Sequence, residues 1–140
     1  MNKLAEVTII SFFIMAISCE DSETDKDLLP EFGSISGAIS FVGTFPDTGE
    51  ALITLDTQWP VAGPPAGFAY ITSSDVENGV YNYSFSNLSF RDYEAVTVTY
   101  WPEGYVPAGT NYILIGSYIE TINVTQDNAD LTINIDATFN

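Results

Sequence analysis

From Phe32 to the C-terminus, apolar residues recur at every second position, and turn formers interrupt them at regular intervals. A period of two puts alternate side chains on opposite faces of an extended chain, and no long stretch carries a helical period. The pattern predicts an all-β fold, a single antiparallel β-sandwich of about seven to eight strands with Greek-key connections. Strands are expected over 34–42, 51–56, 68–73, 80–87, 94–101, 111–118, 120–125 and 131–139. The first should turn Ile35, Ile39 and Phe41 to one face, with Gly37 admitting a close neighbour. The second should separate Ala51, Ile53 and Leu55 from Leu52, Thr54 and Asp56. Residues 59–67 contain three prolines, which lack ladder donors, so this stretch is expected to be a loop. Asn78-Gly79 is a hairpin signal. Residues 81–98, two alternating runs meeting across a short polar break, are expected to form a hairpin at the centre of the sandwich.

With 140 residues the chain is long enough for one such domain. Its beginning is different. Met1-Asn2-Lys3 brings a positive charge and residues 7–17 an apolar run, too short to span a bilayer and shaped like a secretory signal. The run ends in Ala16-Ile17-Ser18-Cys19, which resembles the lipobox of bacterial lipoproteins, where the cysteine is lipidated and becomes the new N-terminus. Ala16 stands where that pattern prefers Leu, and Glu6 precedes the apolar run. The alternative is an ordinary signal peptide with a cysteine at its end. Cys19 is the only cysteine in the chain and falls at the signal's boundary, which favours lipidation. The expected organisation is a signal peptide over 1–18, a lipidated Cys19 with an acidic flexible tether over 19–31, and the sandwich over 32–140. The resemblance implies a bacterial envelope protein, held by palmitate and related acyl chains to the outer membrane. Acidic residues directly after the cysteine resemble surface-export signals of some Gram-negative groups; the alternative is a solvated linker.

The formal net charge is −16 and there is no histidine. Removing 1–18 takes away Lys3 and Glu6 and leaves that charge unchanged. Such a field excludes nucleic acid as a partner, since no basic patch exists to replace the counterions of phosphates. Without histidine, and with the cysteine at the lipidation position, Ser-His-Asp, Cys-His and His-ligated zinc chemistry are unavailable. No phosphate-cradling glycine loop occurs, and no cofactor is expected. A carboxylate-only hydrolase is the weaker alternative, but no two acids stand in an apolar setting that would raise one pKa.

The runs Gly79-Val80-Tyr81-Asn82-Tyr83-Ser84-Phe85-Ser86-Asn87-Leu88 and Tyr93-Glu94-Ala95-Val96-Thr97-Val98 resemble a rhythm of the transthyretin-like sandwiches, among them the carboxypeptidase regulatory-like and collagen-binding B-type repeat domains. Ile35-Ser36-Gly37-Ala38-Ile39 is similar to their first strand. The resemblance implies a prealbumin- or immunoglobulin-like sandwich serving as an adhesion or accessory module. Asp92 replaces the glycine that normally precedes the tyrosine. The internal Lys–Asn isopeptide bond of the B-type repeats cannot form, because no lysine follows Lys26.

Two surfaces are candidate sites. Trp101 with Tyr105, Tyr112 and Tyr118 would make a sugar-stacking face, each ring presenting apolar area and a polar tip. Glycan binding through these aromatics is the alternative to adhesion or contact with another envelope protein. Strict alternation of strand direction would gather Asp47, Glu50, Asp75, Glu77, Glu103, Asp127 and Asp130 at the pole opposite the tether. Of these, Asp47, Asp75, Glu77, Asp127 and Asp130 are the candidate Ca²⁺ ligands, against the alternative of a solvated acidic rim, which the lack of a D-x-D-x-D-G spacing favours. The same parity would send Trp59 and Trp101 to opposite ends, against one platform built from both. For the anchor, Cys19→Ala is expected to abolish incorporation of labelled palmitate in a bacterial host; undiminished labelling would remove the lipoprotein assignment.

Overall fold

A computed structural model describes residues 28–104 and 110–140. The signal segment, Cys19 and most of the tether lie outside them. Ten strands make up the fold: β1 (Gly33–Val42), β2 (Glu50–Asp56), β3 (Gly67–Ile71), β4 (Val80–Leu88), β5 (Arg91–Tyr93), β6 (Ala95–Trp101), β7 (Ile113–Tyr118), β8 (Ile122–Val124), β9 (Asp130–Thr132) and β10 (Ile135–Thr138). The all-β sandwich expected from alternation is the observed class. One layer has the order β10-β1-β4, with β9 also on β1; the other has β3-β2-β6-β7; β5 and β8 form a small separate ribbon. Among the described residues no helix is long and apolar enough to cross a membrane.

Alternation decides the core. Ile35, Ile39 and Phe41 of β1 face Ala51, Ile53 and Leu55 of β2 and Val96 and Val98 of β6 across one buried cluster, joined by Tyr83, Phe85, Ile133, Ile135 and Ala137. Each large apolar side chain enclosed there contributes about 1.5 to 3 kcal/mol.

Pairing departs from expectation in three places. Residues 81–98 are not a hairpin, because β4 pairs with β1 in one layer and β6 with β2 and β7 in the other. The chain changes layer between them. Asn87 takes a left-handed φ of 55°, and the buried Tyr93 donates its hydroxyl to the Ser89 carbonyl at 3.0 Å, stitching the corner. Asp92 is extended rather than in a tight turn, and its carboxylate accepts from Asn123 Nδ2 across the β5–β8 ribbon at 2.5 Å. Secondly, Asn78-Gly79 makes the expected tight turn, with φ of 52° and 78° and reciprocal Glu77–Val80 backbone hydrogen bonds, yet it carries the chain from one layer to the other.

The third departure is that the sandwich is not wholly antiparallel: β9 and β10 run parallel to β1. The cause is β8, which spans only Ile122–Val124 and pairs with β5 near the start of β1 instead of crossing the sandwich. The following strand therefore begins at the same end as β1.

Between β9 and β10 the ladder is interrupted. Ile133 N–H donates to the Ser36 carbonyl at 2.8 Å, and a regular parallel ladder would return the Ala38 N–H to the Ile133 carbonyl. Instead that carbonyl turns inward and accepts the Tyr83 hydroxyl at 2.7 Å, while Asn134 Oδ1 takes the Ala38 N–H at 2.9 Å. Gly37 is required there, since a Cβ would lie inside the Ile133 carbonyl oxygen. Burial pushes the Tyr83 phenol up to about 12.

Tyr83→Phe should lose about 1 to 3 kcal/mol in denaturant unfolding, because a buried carbonyl is left without its donor. The raised phenol pKa also sets an alkaline limit. The folded state holds its proton more tightly than the unfolded chain, whose tyrosines ionise near ~10, so this contribution is intact below that pH and is lost as pH rises towards about 12. Stability measured across that window should fall less steeply in Tyr83→Phe.

Candidate functional site

The outer face of the β3-β2-β6-β7 layer is not an ordinary solvated surface. Cross-strand register lines up Tyr70, Leu52, Thr99 and Leu114 in one row, and Phe68, Thr54, Thr97 and Ser117 in the next. Although they point away from the core, Thr97 and Asp56 are buried. The β2–β3 connection folds back over them. Its ends are held by Ala66 N–H on the Leu55 carbonyl at 2.7 Å and by Trp59 N–H on Glu94 Oε2 at 2.8 Å, with a cis Trp59-Pro60 bond.

Between this connection and the sheet lies a groove of about 490 Å³. Trp59, Pro60 and Val61 form one wall and Trp101, Tyr112 and Leu114 another, with Leu52, Thr54, Thr97 and Thr99 as the floor. The Trp101 ring lies 4.7 Å from that of Tyr112 at 31°, and its Nε1 donates to Thr99 Oγ1 at 3.0 Å, which draws the indole back along its own strand. Thr54 Oγ1 donates to Asp56 Oδ2 at 2.8 Å and lies 2.8 Å from Thr97 Oγ1. Desolvation pushes the pKa of the Asp56 carboxyl up, and the Thr54 hydrogen bond partly opposes it.

Of the expected aromatic residues, Trp101 and Tyr112 share this groove. Tyr118 does not: it pairs with Val96 on the core-facing side and packs against the buried cluster, its hydroxyl 3.2 Å from Glu120 Oε2. Tyr105 lies outside the described residues. Trp59 corrects the parity argument, because both tryptophans line one groove. Parity locates strand ends, whereas the groove runs along a sheet face and both indoles reach onto it from its ends. Phe68 and Tyr70 were missed. Both are more than half exposed, their rings 5.8 Å apart edge to face, and they extend the aromatic surface over β3. Their shared parity with Leu52 and Thr54 was the available signal.

The acidic pole is also corrected. Asp47, Glu50, Asp75, Glu77 and Glu103 belong to the end where β1 finishes and β2 starts. Asp127 and Asp130 lie at the opposite end, beside the start of β1, where Ser34 pairs with Asp130 and Gln126 reaches the Pro30 carbonyl. The short β8 ribbon shifts the parity by one. Asp75 Oδ2 is engaged by the Thr72 N–H and hydroxyl at 2.8 and 2.7 Å, and Asp130 Oδ1 by the Ser34 hydroxyl at 2.6 Å. Among the described residues no three His, Cys, Asp or Glu side chains gather as a metal ion would need. A second hollow, of about 180 Å³, lies between Asn87, Ser89, Arg91 and Tyr93 near the layer-crossing corner.

The site thus defines a class: an all-β sandwich with an uncharged aromatic groove on one sheet face. Compared with known families, curated proteins and solved structures, the chain gives no match.

Asp56→Asn should raise the melting temperature at pH 7. The folded state favours the protonated carboxyl, so the Asp56 contribution is complete below the ordinary carboxylate value of ~4 and is lost as pH rises through the elevated folded value. The advantage of the variant should disappear in melts at pH 3.

Proposed function

We propose that this chain is a non-enzymatic, lipid-anchored module of a bacterial outer envelope, and that it binds a glycan in the groove of its β3-β2-β6-β7 layer. The observation that carries the binding part is the convergence of Trp59, Trp101 and Tyr112 on one uncharged hollow floored by threonine hydroxyls. Flat aromatic faces suit the apolar faces of pyranose rings, and a few fixed hydroxyls orient a ligand in an otherwise apolar site. The lining contains no carboxylate, and hydrolysis of a glycoside by the usual route requires two. The anchoring part rests on the lipobox-like residues 16–19, and the accessory role on the transthyretin-like rhythm of residues 79–98.

A second reading, docking of another envelope protein, is favoured by the exposed Phe68–Tyr70 pair beside the groove. A glycan array separates the two. Binding should fall about tenfold or more in Trp101→Ala, the loss of roughly 1.4 kcal/mol of stacking, and comparably in Trp59→Ala, but change little in Phe68→Ser. Unaltered glycan binding in both tryptophan variants would end the groove assignment.

A further inference from the structure

Resting on the glycan reading of the groove, we propose further that it selects glycans bearing amines and rejects acidic ones. Hydrogen-bond direction on the floor leads to this. A threonine hydroxyl has one proton. That of Thr54 goes to Asp56 Oδ2, so at the 2.8 Å contact between Thr54 and Thr97 it is Thr97 that donates. Thr99 Oγ1 receives the Trp101 Nε1–H at 3.0 Å and directs its own proton to the Leu52 carbonyl at 3.4 Å. The three floor hydroxyls and the Trp101 indole have therefore committed their protons inside the protein. What the floor offers a ligand is lone pairs. A group resting on it must donate: a sugar hydroxyl brings one proton, an ammonium three, a carboxylate none.

Charge acts in the same direction. The lining is uncharged, but carboxylates stand beyond both ends: Asp56 and Glu94 where the Trp59 wall is anchored, Glu50 opposite Trp101 in the ladder, and Glu103 just beyond it. Arg91, the one cation among the described residues, belongs to the other hollow, 6.0 Å from the Tyr93 ring. Within a chain of net charge −16, a groove walled by indole faces favours a cation and repels an anion.

The test is titration of the full chain, followed by tryptophan fluorescence, with three oligosaccharides of matched length and linkage built from glucosamine, glucose and glucuronate. The glucosamine oligomer should bind at least tenfold tighter than the glucose oligomer, and the glucuronate oligomer should give no saturable signal. Thr97→Val should reduce the preference for glucosamine severalfold, while Thr97→Ser, which keeps the acceptor, should retain it; circular dichroism checks that both fold. Glucuronate binding as tight as glucosamine, or a preference unchanged in folded Thr97→Val, overturns the selection and leaves the glycan reading standing. No saturable binding of any of the three overturns both.

Discussion

A single phenol hydrogen bond, from Tyr83 to the Ile133 carbonyl, determines how the end of the chain lies on its beginning. Turning that carbonyl inward would leave the Ala38 N–H without a partner if Asn134 did not supply its side-chain oxygen, and the turn is sterically open only because residue 37 is glycine. These five residues solve one problem: a buried polar group is tolerated when it is bonded. Beyond the interruption β10 resumes its parallel pairing and buries Ile135 and Ala137. Gly116 of β7 then packs against the backbone of Asp136 and Ala137 so closely that a Cβ would clash. The lock thus reaches through β10 to β7, the strand that carries Leu114 into the groove wall.

Much of this architecture is written in the alternation of the chain. Ile35, Ile39 and Phe41 identify the buried face of β1, Ala51, Ile53 and Leu55 that of β2, and the proline-rich stretch after Asp56 is a loop as its missing donors require. Alternation assigns faces, however, and says nothing of partners. Residues 81–98 read equally well as a hairpin or as two strands in different layers, and the choice is made by the Tyr93 corner and the left-handed Asn87, which a hydrophobic pattern does not register. One three-residue strand, β8, was enough to invert the expected position of Asp127 and Asp130. Local pattern is a short-range signal, whereas topology depends on the parity of every strand before it.

The groove shows the same division. Trp101 and Tyr112 could be singled out from composition, because large aromatic residues beside a proline-rich loop are conspicuous. Their convergence with Trp59 could not, since it depends on how the β2–β3 connection folds back, and that is fixed by two backbone N–H groups finding Leu55 and Glu94. The roof in turn accounts for a buried carboxylate and a buried threonine on a face that would otherwise be wet. Asp56 ties down the proton of Thr54, and the orientation of the Thr97 hydroxyl follows from that one commitment.

Because the floor belongs to paired strands, its groups occupy a lattice. Neighbours such as Thr54 and Thr97 are separated by the spacing between strands, ~4.8 Å, and groups two apart on one strand, such as Thr97 and Thr99, by roughly 6.8 Å. These intervals are properties of the β-sheet and cannot be stretched by lengthening a loop. A repeating ligand must therefore match a fixed ruler. Diversification of such a surface proceeds by exchanging single side chains at constant pitch, unlike loop-built sites, where insertions reshape the whole contact.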